Sequence, residues 1–173
     1  GYSNKFGSNL IFFRFLRTFW YDGGIDYRKL TNVSIRYYNR TVSWLTPVVK
    51  VLYIEDWRAN GQEALYLGEN NGLRGYTKYF SAGEKLFRVN IENRFFTGIK
   101  MLSAEFGLAQ FLDIGQTWSD GERFELNRNL WTVGIGLRIG AERVSNAEMI
   151  RIDCAYAGKT KNWQISFGVG QYL

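Results

Sequence analysis

Residues Trp131–Gly140 read WTVGIGLRIG, and this stretch decides the fold. Its odd-numbered positions share large apolar side chains: Trp131, Val133, Ile135, Leu137 and Ile139. Its even-numbered positions are threonine, glycine or arginine. Strict alternation of this kind predicts a β-strand with one apolar and one polar face, and about ten residues is the length of a tilted strand that crosses a bilayer. We therefore expect the apolar face of this strand to meet lipid.

Eight segments of the chain show the same period-two alternation. They are Asn9–Tyr21, Asn32–Val42, Pro47–Trp57, Lys85–Phe96, Leu102–Trp118, Trp131–Gly140, Met149–Gly158 and Trp163–Leu173. The sequence therefore predicts an all-β fold, an antiparallel transmembrane β-barrel of about eight strands that spans residues 1–173. Three arrangements stay open: half of a sixteen-stranded barrel, a small barrel that closes alone, or one that pairs with a second copy as a homodimer.

Charged residues concentrate on one face of the predicted strands. Such regular charges would be costly in lipid, so the polar face is expected to line a hydrated lumen. Lumen candidates to which no individual role is assigned are Arg36, Arg40, Arg88, Arg94, Arg138, Arg151, Glu105 and Asp153. Two segments deviate from clean alternation. Phe111 interrupts a polar face, and Arg14 and Arg17 fall on opposite faces, which implies either a bulge or an Arg17 side chain that reaches a membrane interface.

The composition argues against several classes of function. Arg14 and Arg17 interrupt the most apolar stretch of the 173 residues, so no helical membrane span is predicted. The chain has no histidine and a single cysteine, Cys154, which excludes a Ser-His-Asp triad, a Cys-His pair and histidine-ligated zinc. We therefore predict no enzyme activity, cofactor or metal. The formal charge is +6, but the basic residues are scattered singly, so nucleic acid is not an expected partner.

Aromatic residues lie near the ends of the predicted strands, where membrane interfaces would be. These residues are Trp20, Tyr21, Trp44, Trp57, Trp118, Trp131 and Trp163. The placement predicts the two aromatic girdles of an outer-membrane barrel, with bacterial outer-membrane lipid as the surrounding partner. Residues 1–7 lack the pattern of a secretory signal peptide, so we expect a mature or truncated chain.

One predicted connection, residues 58–83, is long and rich in glycine. It contains Leu73-Arg74-Gly75-Tyr76, preceded by Gly72. A long loop inside a compact barrel is usually functional or disordered. An arginine in a glycine-rich loop is ordinarily solvated, but a buried one is tolerable when carboxylates hold its planar guanidinium, and the glycines would let the backbone turn close to the wall. Glu92 and Asp113, on the next two predicted strands, both fall on the polar face.

These motifs resemble the C-terminal barrel half of the BamA/TamA/FhaC superfamily of outer-membrane assembly and two-partner-secretion proteins. Leu73-Arg74-Gly75-Tyr76 is similar to the family's [VL]-R-G-[FY] loop signature, and Glu92 and Asp113 stand in segments similar to its E-x-R and F-x-D-x-G strands. A G-x-G-x-R strand and an R-x-D strand follow in the family's order. The last segment resembles a C-terminal signal strand, with Phe167 and Val169, although Leu173 stands where the family usually has phenylalanine or tryptophan.

The resemblance implies a protein insertase or translocation pore of the bacterial outer membrane. Its loop would dock in the lumen through Arg74, Glu92 and Asp113, while the seam between terminal strands opens to client outer-membrane or secreted polypeptides. Family members carry POTRA domains before the barrel, and none is found in these residues. The alternative is a barrel that anchors or passes a separate passenger, such as a patatin-like lipase. A soluble lipocalin-like barrel would need its apolar faces turned inward.

Overall fold

The computed structural model of the chain describes residues 9–22, 26–58, 64–102, 104–141 and 149–170. Eight strands form one antiparallel sheet: β1 (Asn9–Asp22), β2 (Asp26–Asn39), β3 (Leu45–Arg58), β6 (Lys85–Met101), β7 (Ala104–Trp118), β8 (Leu130–Ala141), β9 (Ile150–Ala157) and β10 (Asn162–Val169). Two short strands, β4 (Leu65–Leu67) and β5 (Ser81–Gly83), form a separate hairpin. In the ranges just given, no helix is long and apolar enough to cross a membrane.

Strand order in the large sheet follows the chain, and only the β4–β5 excursion separates β3 from its neighbour β6. The predicted all-β, antiparallel, eight-stranded architecture is confirmed. β1 and β10 are the two edge strands of the described sheet. Closure into a barrel and insertion into a membrane stay predictions.

Several predicted strand ends were misplaced. β2 begins at Asp26, six residues before the predicted start, because its pairing with β1 continues to Asp22 without interruption. β6 extends beyond Phe96 to Met101, past a register shift in its ladder with β7. Leu102, a predicted strand residue, instead lies in the turn with a φ of 50°. Charged ends and bulges obscure alternation, which explains why the pattern located strand centres better than strand ends.

The two faces of the sheet differ in chemistry. The described part of the long loop, residues 64–84, packs against one face, which we call the covered face, and we call the opposite side the outer face. On β8, Thr132 and Arg138 are buried on the covered face, whereas Ile135 is 63% exposed on the outer face. On β10, Phe167 is likewise 73% exposed on the outer face. From Trp131 to Ile139 of β8, the charged side chain therefore points toward the loop and the large apolar side chains point away from it, the reverse of a lipocalin-like barrel.

Strand β1 departs from this division because it is apolar on both faces. Its ladder with β2 is unbroken from Asn9 to Asp22, so no bulge shifts its register. Arg17 therefore lies on the outer face, where its guanidinium carbon is 5.1 Å from the centre of the Phe19 ring. Arg14 lies on the covered face between Phe12 and Leu16, and both of these apolar side chains are exposed. The edge strand thus carries far less charge on its covered face than β6 does.

Glycine at position 134, on the covered face of β8, leaves space for the Phe111 ring of the neighbouring strand β7. A methyl group added at Gly134 would overlap the ring of Phe111 and the carbonyl of Cys154, whereas one added at Gly140 would meet nothing closer than Met149 at 4.0 Å. Both glycines lie on the covered face of the same strand, so they form a matched pair.

We predict that Gly134→Ala destabilises the folded chain by about 1–3 kcal/mol, because overpacking forces the neighbours to shift. Gly140→Ala should be neutral or slightly stabilising, because the added methyl has space and glycine is unfavourable in a strand. Urea unfolding monitored by tryptophan fluorescence measures both changes. Equal destabilisation by the two substitutions would contradict the packing described for Phe111.

Candidate functional site

The long loop follows the end of β3 and folds back over the covered face. Its hairpin β4–β5 and the segment between those strands bring three side chains into full burial: Leu67, Leu73 and Tyr76. These pack with Leu86 of β6, Leu130 of β8 and Ala157 of β9 in one apolar cluster. Burial of such side chains contributes roughly 1.5–3 kcal/mol each, so the cluster holds the loop against the sheet.

A tight turn directs the backbone toward the sheet immediately before Leu73. The amide of Leu73 donates to the carbonyl of Gly68 at 2.9 Å, which closes a short 3-10 turn over Glu69–Asn71. Gly72 follows with a φ of 90°, and Gly75 has a φ of 81°. Both values lie in the left-handed region that favours glycine. A side chain at Gly75 would also crowd Thr132 and Ala155, so the backbone passes close to β8 and β9 at this point.

Arg74, between these glycines, has no exposed surface. Its Nε and Nη2 donate to the two carboxylate oxygens of Asp113 at 2.7 and 2.8 Å, a bidentate pair. Its Nη1 donates to Oε2 of Glu92 at 2.8 Å. The guanidinium therefore spans β6 and β7. Its fork geometry matches two carboxylates in a way that the single ammonium of lysine would not.

Uncharged groups complete the surroundings of Arg74. Its guanidinium carbon lies 3.5 Å from the centre of the Phe111 ring, the geometry of a cation–π contact. Its backbone carbonyl accepts a hydrogen bond from the Thr132 hydroxyl at 2.7 Å. The Asn90 amide donates both to the Gly72 carbonyl and to Oδ1 of Asp113, each at 2.7 Å. The loop backbone and the carboxylate are thus held by the same side chain.

Further arginines share the carboxylates. Asp153 of β9 accepts from Arg138 at 2.6 Å and from Arg151 at 2.8 Å, and lies 3.9 Å from Nη1 of Arg74. Arg94 donates to the second oxygen of Glu92 at 2.9 Å. We use the name Arg74 network for these seven side chains: Arg74, Arg94, Arg138, Arg151, Glu92, Asp113 and Asp153. Four arginines and three carboxylates leave it with one net positive charge.

The electrostatics of the site depend on these carboxylates. Burial alone disfavours the charged guanidinium and acts to lower the pKa of Arg74, but the hydrogen bonds and negative charge of Asp113, together with Glu92, raise that pKa above its ordinary value. Arg74 is therefore a permanent cation in a site without water access. Loss of either charge sign would leave the other buried and uncompensated, at a cost of about 3–5 kcal/mol.

The structure brings together six of the nine residues singled out from the sequence: Leu73, Arg74, Gly75, Tyr76, Glu92 and Asp113. Tyr76 has a separate contact, because its hydroxyl donates to the Trp131 carbonyl at 3.1 Å and accepts from the Lys159 amide at 3.2 Å. Phe167 and Val169 lie apart from this group, on the outer face of β10. Leu173 lies outside the described residues.

Sequence reasoning did not assign Asn90, Phe111 or Thr132 to the surroundings of Arg74. It placed Asp153 on the polar face but gave it no specific contact. Asn90 and Thr132 gave no signal beyond being polar on a polar face. Phe111 did give one, because it was the single apolar exception on the covered face of β7, and the structure shows that this exception is the ring beneath Arg74. Arg40, by contrast, was expected in the lumen but lies exposed beyond the end of β2.

Across the described ranges, no group of three or more histidine, cysteine, aspartate or glutamate residues could hold a metal ion. The carboxylates of the Arg74 network are saturated by arginine instead. What the arrangement can do is fix a loop to four strands at once.

No protein-family model, curated protein or solved structure matches this chain.

We predict that Arg74→Ala lowers the free energy of unfolding by about 3–5 kcal/mol, because it leaves Asp113 and Glu92 buried without their partner. Arg74→Lys should recover only part of this loss, since lysine keeps the charge but not the bidentate fork. Arg123→Ala is the matched control, because Arg123 is exposed in the connection between β7 and β8. Denaturant titration checks the series, and equal losses at Arg74 and Arg123 would contradict the network described.

Proposed function

We propose that this chain is part of a β-barrel of the bacterial outer membrane that inserts or translocates proteins. The first support is the apolar outer face. On β8, β9 and β10 every outer-face side chain is apolar, including Trp131, Ile135 and Phe167, which are 42%, 63% and 73% exposed. A continuous apolar surface of this extent is unusual in water and typical of a surface that meets lipid. Outer-membrane lipid is thus the first partner of this chain.

The second support concerns the size of the barrel. The interior of an eight-stranded barrel is just wide enough for its own side chains. Here the covered face also accommodates the loop segment 64–84, whose Leu67, Leu73 and Arg74 are fully buried against it. In a bilayer the edges at β1 and β10 also need partners, because unpaired backbone groups are costly in lipid. We therefore favour a barrel with more than eight strands, completed by further strands or by a second copy.

The observation that carries the functional proposal is the contact of Arg74 with Asp113 and Glu92. These are the positions at which the chain resembles the BamA/TamA/FhaC superfamily, and the Arg74 guanidinium lies 2.7 Å from Asp113 and 2.8 Å from Glu92. In this proposal the loop keeps the sheet in one shape. The less tightly held edge strands then separate to receive a client strand by β-augmentation, in which backbone hydrogen bonds supply the affinity.

We predict that Ile135→Arg destabilises the chain in lipid vesicles by about 2–4 kcal/mol, because a charge on the lipid face near the bilayer midplane is costly. Leu126→Arg is the control, since Leu126 is 80% exposed in the connection after β7. Urea titration in phosphatidylcholine vesicles measures both. If both variants were as stable as the wild type, the outer face would not be in lipid.

The insertion activity is tested with vesicles that contain the full-length protein carrying this chain. We expect them to accelerate folding of a urea-unfolded outer-membrane barrel, measured as protease-resistant, heat-modifiable product, by about tenfold or more over empty vesicles. Arg74→Ala should reduce this acceleration and Arg123→Ala should not. Vesicles with wild-type protein that fold the client no faster than empty ones would contradict the insertase proposal and favour the alternative of a membrane anchor for a passenger domain.

A further inference from the structure

The covered face carries a second group of charges that does not belong to the Arg74 network. Arg36 of β2 and Lys50 of β3 occupy directly opposed positions in the β2–β3 ladder. On the other side of β3, Lys50 pairs with Asn90 and is diagonal to Arg88 of β6. Directly opposed like charges destabilise a sheet, and diagonal neighbours remain within reach of long side chains. Three cations thus follow one another across three adjacent strands.

The protein supplies little negative charge to offset this group. Lys50 is half-buried, and the charges acting on it are the guanidinium groups of Arg88 and Arg36, both repulsive. In the described part of the chain, neither Arg36 nor Lys50 forms an ion pair. The nearest carboxylate along β6, Glu92, is fully buried and is engaged by Arg74, Arg94 and Arg138. Among the described residues, the repulsion that Lys50 experiences is therefore not offset by an ion pair.

A cavity of about 750 Å³ lies beside Lys50 and Arg88. Four of its lining residues are basic, Lys50, Lys78, Arg88 and Arg151, and one is acidic, Glu69. Glu69 already accepts a hydrogen bond from the Gln164 amide at 3.2 Å. The volume is in the range of small-molecule sites, and the wall is predominantly polar. Converging cations around a polar cavity of this size describe a site for an anion.

We propose that this cavity binds a phosphate-bearing anion. Several arginine and lysine side chains that converge on one space are suited to phosphate, whose oxygens accept charge-assisted hydrogen bonds from more than one donor. The cavity is much larger than inorganic phosphate, so it has room for the group that carries the phosphate. Phe167 and Val169 of the edge strand β10, whose side chains lie on the outer face, border the cavity where the sheet ends. The phosphate could therefore be free or could belong to a lipid headgroup whose acyl chains leave past β10.

The cavity shares Arg151 with the Arg74 network, where that arginine already donates to Asp153. The proposal uses none of the contacts that Arg74 itself makes, so it does not depend on the insertase role. Occupation of the cavity would relieve the repulsion between Lys50 and Arg88 and would join β3 and β6 to the loop turn at residues 69–72. The anion would thus neutralise the cations around the cavity, as Asp113 and Glu92 neutralise Arg74 in the Arg74 network.

The test uses the full chain in a maltoside detergent, whose micelles carry no phosphate. Binding of inorganic phosphate and of dihexanoyl phosphatidylglycerol is measured by isothermal titration calorimetry, with dihexanoyl phosphatidylcholine as the zwitterionic comparison. The variants are Lys50→Gln and Lys78→Gln, at two lysines that line the cavity, and the control is Lys159→Gln, an exposed lysine in the turn between β9 and β10. The melting temperature of each variant without ligand is measured in parallel. Lys50→Gln should not lower it, because the substitution removes a repulsion.

We expect one anion per chain, with affinity about tenfold lower in Lys50→Gln and in Lys78→Gln and unchanged in Lys159→Gln, since each of the two variants loses one charge-assisted hydrogen bond to the anion and tenfold in affinity corresponds to about 1.4 kcal/mol. Equal affinity for phosphate and phosphatidylglycerol would assign the site to free phosphate. Tighter binding of phosphatidylglycerol than of either phosphate or phosphatidylcholine would assign it to an anionic lipid headgroup. No binding of either anion, or equal loss in Lys50→Gln and Lys159→Gln, would overturn the proposal.

Discussion

The structure depends on the burial of one guanidinium group. Moving the Arg74 side chain out of water carries a desolvation cost of several kcal/mol, which is offset only if its donors meet acceptors in good geometry. Asp113 and Glu92 provide these acceptors from two adjacent strands. Conversely, without Arg74 those carboxylates would stand near each other and near Asp153 in a site that excludes water. The loop and the covered face are therefore each stable only in the presence of the other.

Much of this arrangement could be predicted from alternation. Trp131–Gly140 and Lys85–Phe96 showed both the strands and the faces, because a period of two separates side chains on opposite sides of a sheet. The strand ends were less accessible, since the extension of β2 to Asp26 is set by pairing with β1 and not by its own pattern. Position on the polar face, together with motif order, singled out Arg74, Glu92 and Asp113. The contacts of Asn90 and Thr132 depend on where the loop backbone passes, which no local pattern encodes.

The covered face divides into two unlike halves. Around β6 to β9, the arginines of the Arg74 network are matched by Glu92, Asp113 and Asp153, so charge is nearly balanced in the absence of solvent. In the described part of the chain, Arg36 of β2 and Lys50 of β3 form no such ion pairs with carboxylates. The apolar cluster of Leu67, Leu73 and Tyr76 lies with the balanced half. Rigidity is thus concentrated in the strands that follow the loop, and the strands that precede it are held by fewer interactions across the face.

This asymmetry indicates where the sheet can change shape at least cost. Movement of the loop would require Arg74 to leave buried acceptors and three apolar side chains to return to water, a change that costs several kcal/mol for each kind of contact. Separation at an edge strand breaks backbone hydrogen bonds that a new strand can replace one for one. β1 is apolar on both faces and lies far from the Arg74 network, so neither obstacle applies to it. In the proposed insertase, the loop would therefore be the fixed element and the edge of the sheet the moving one.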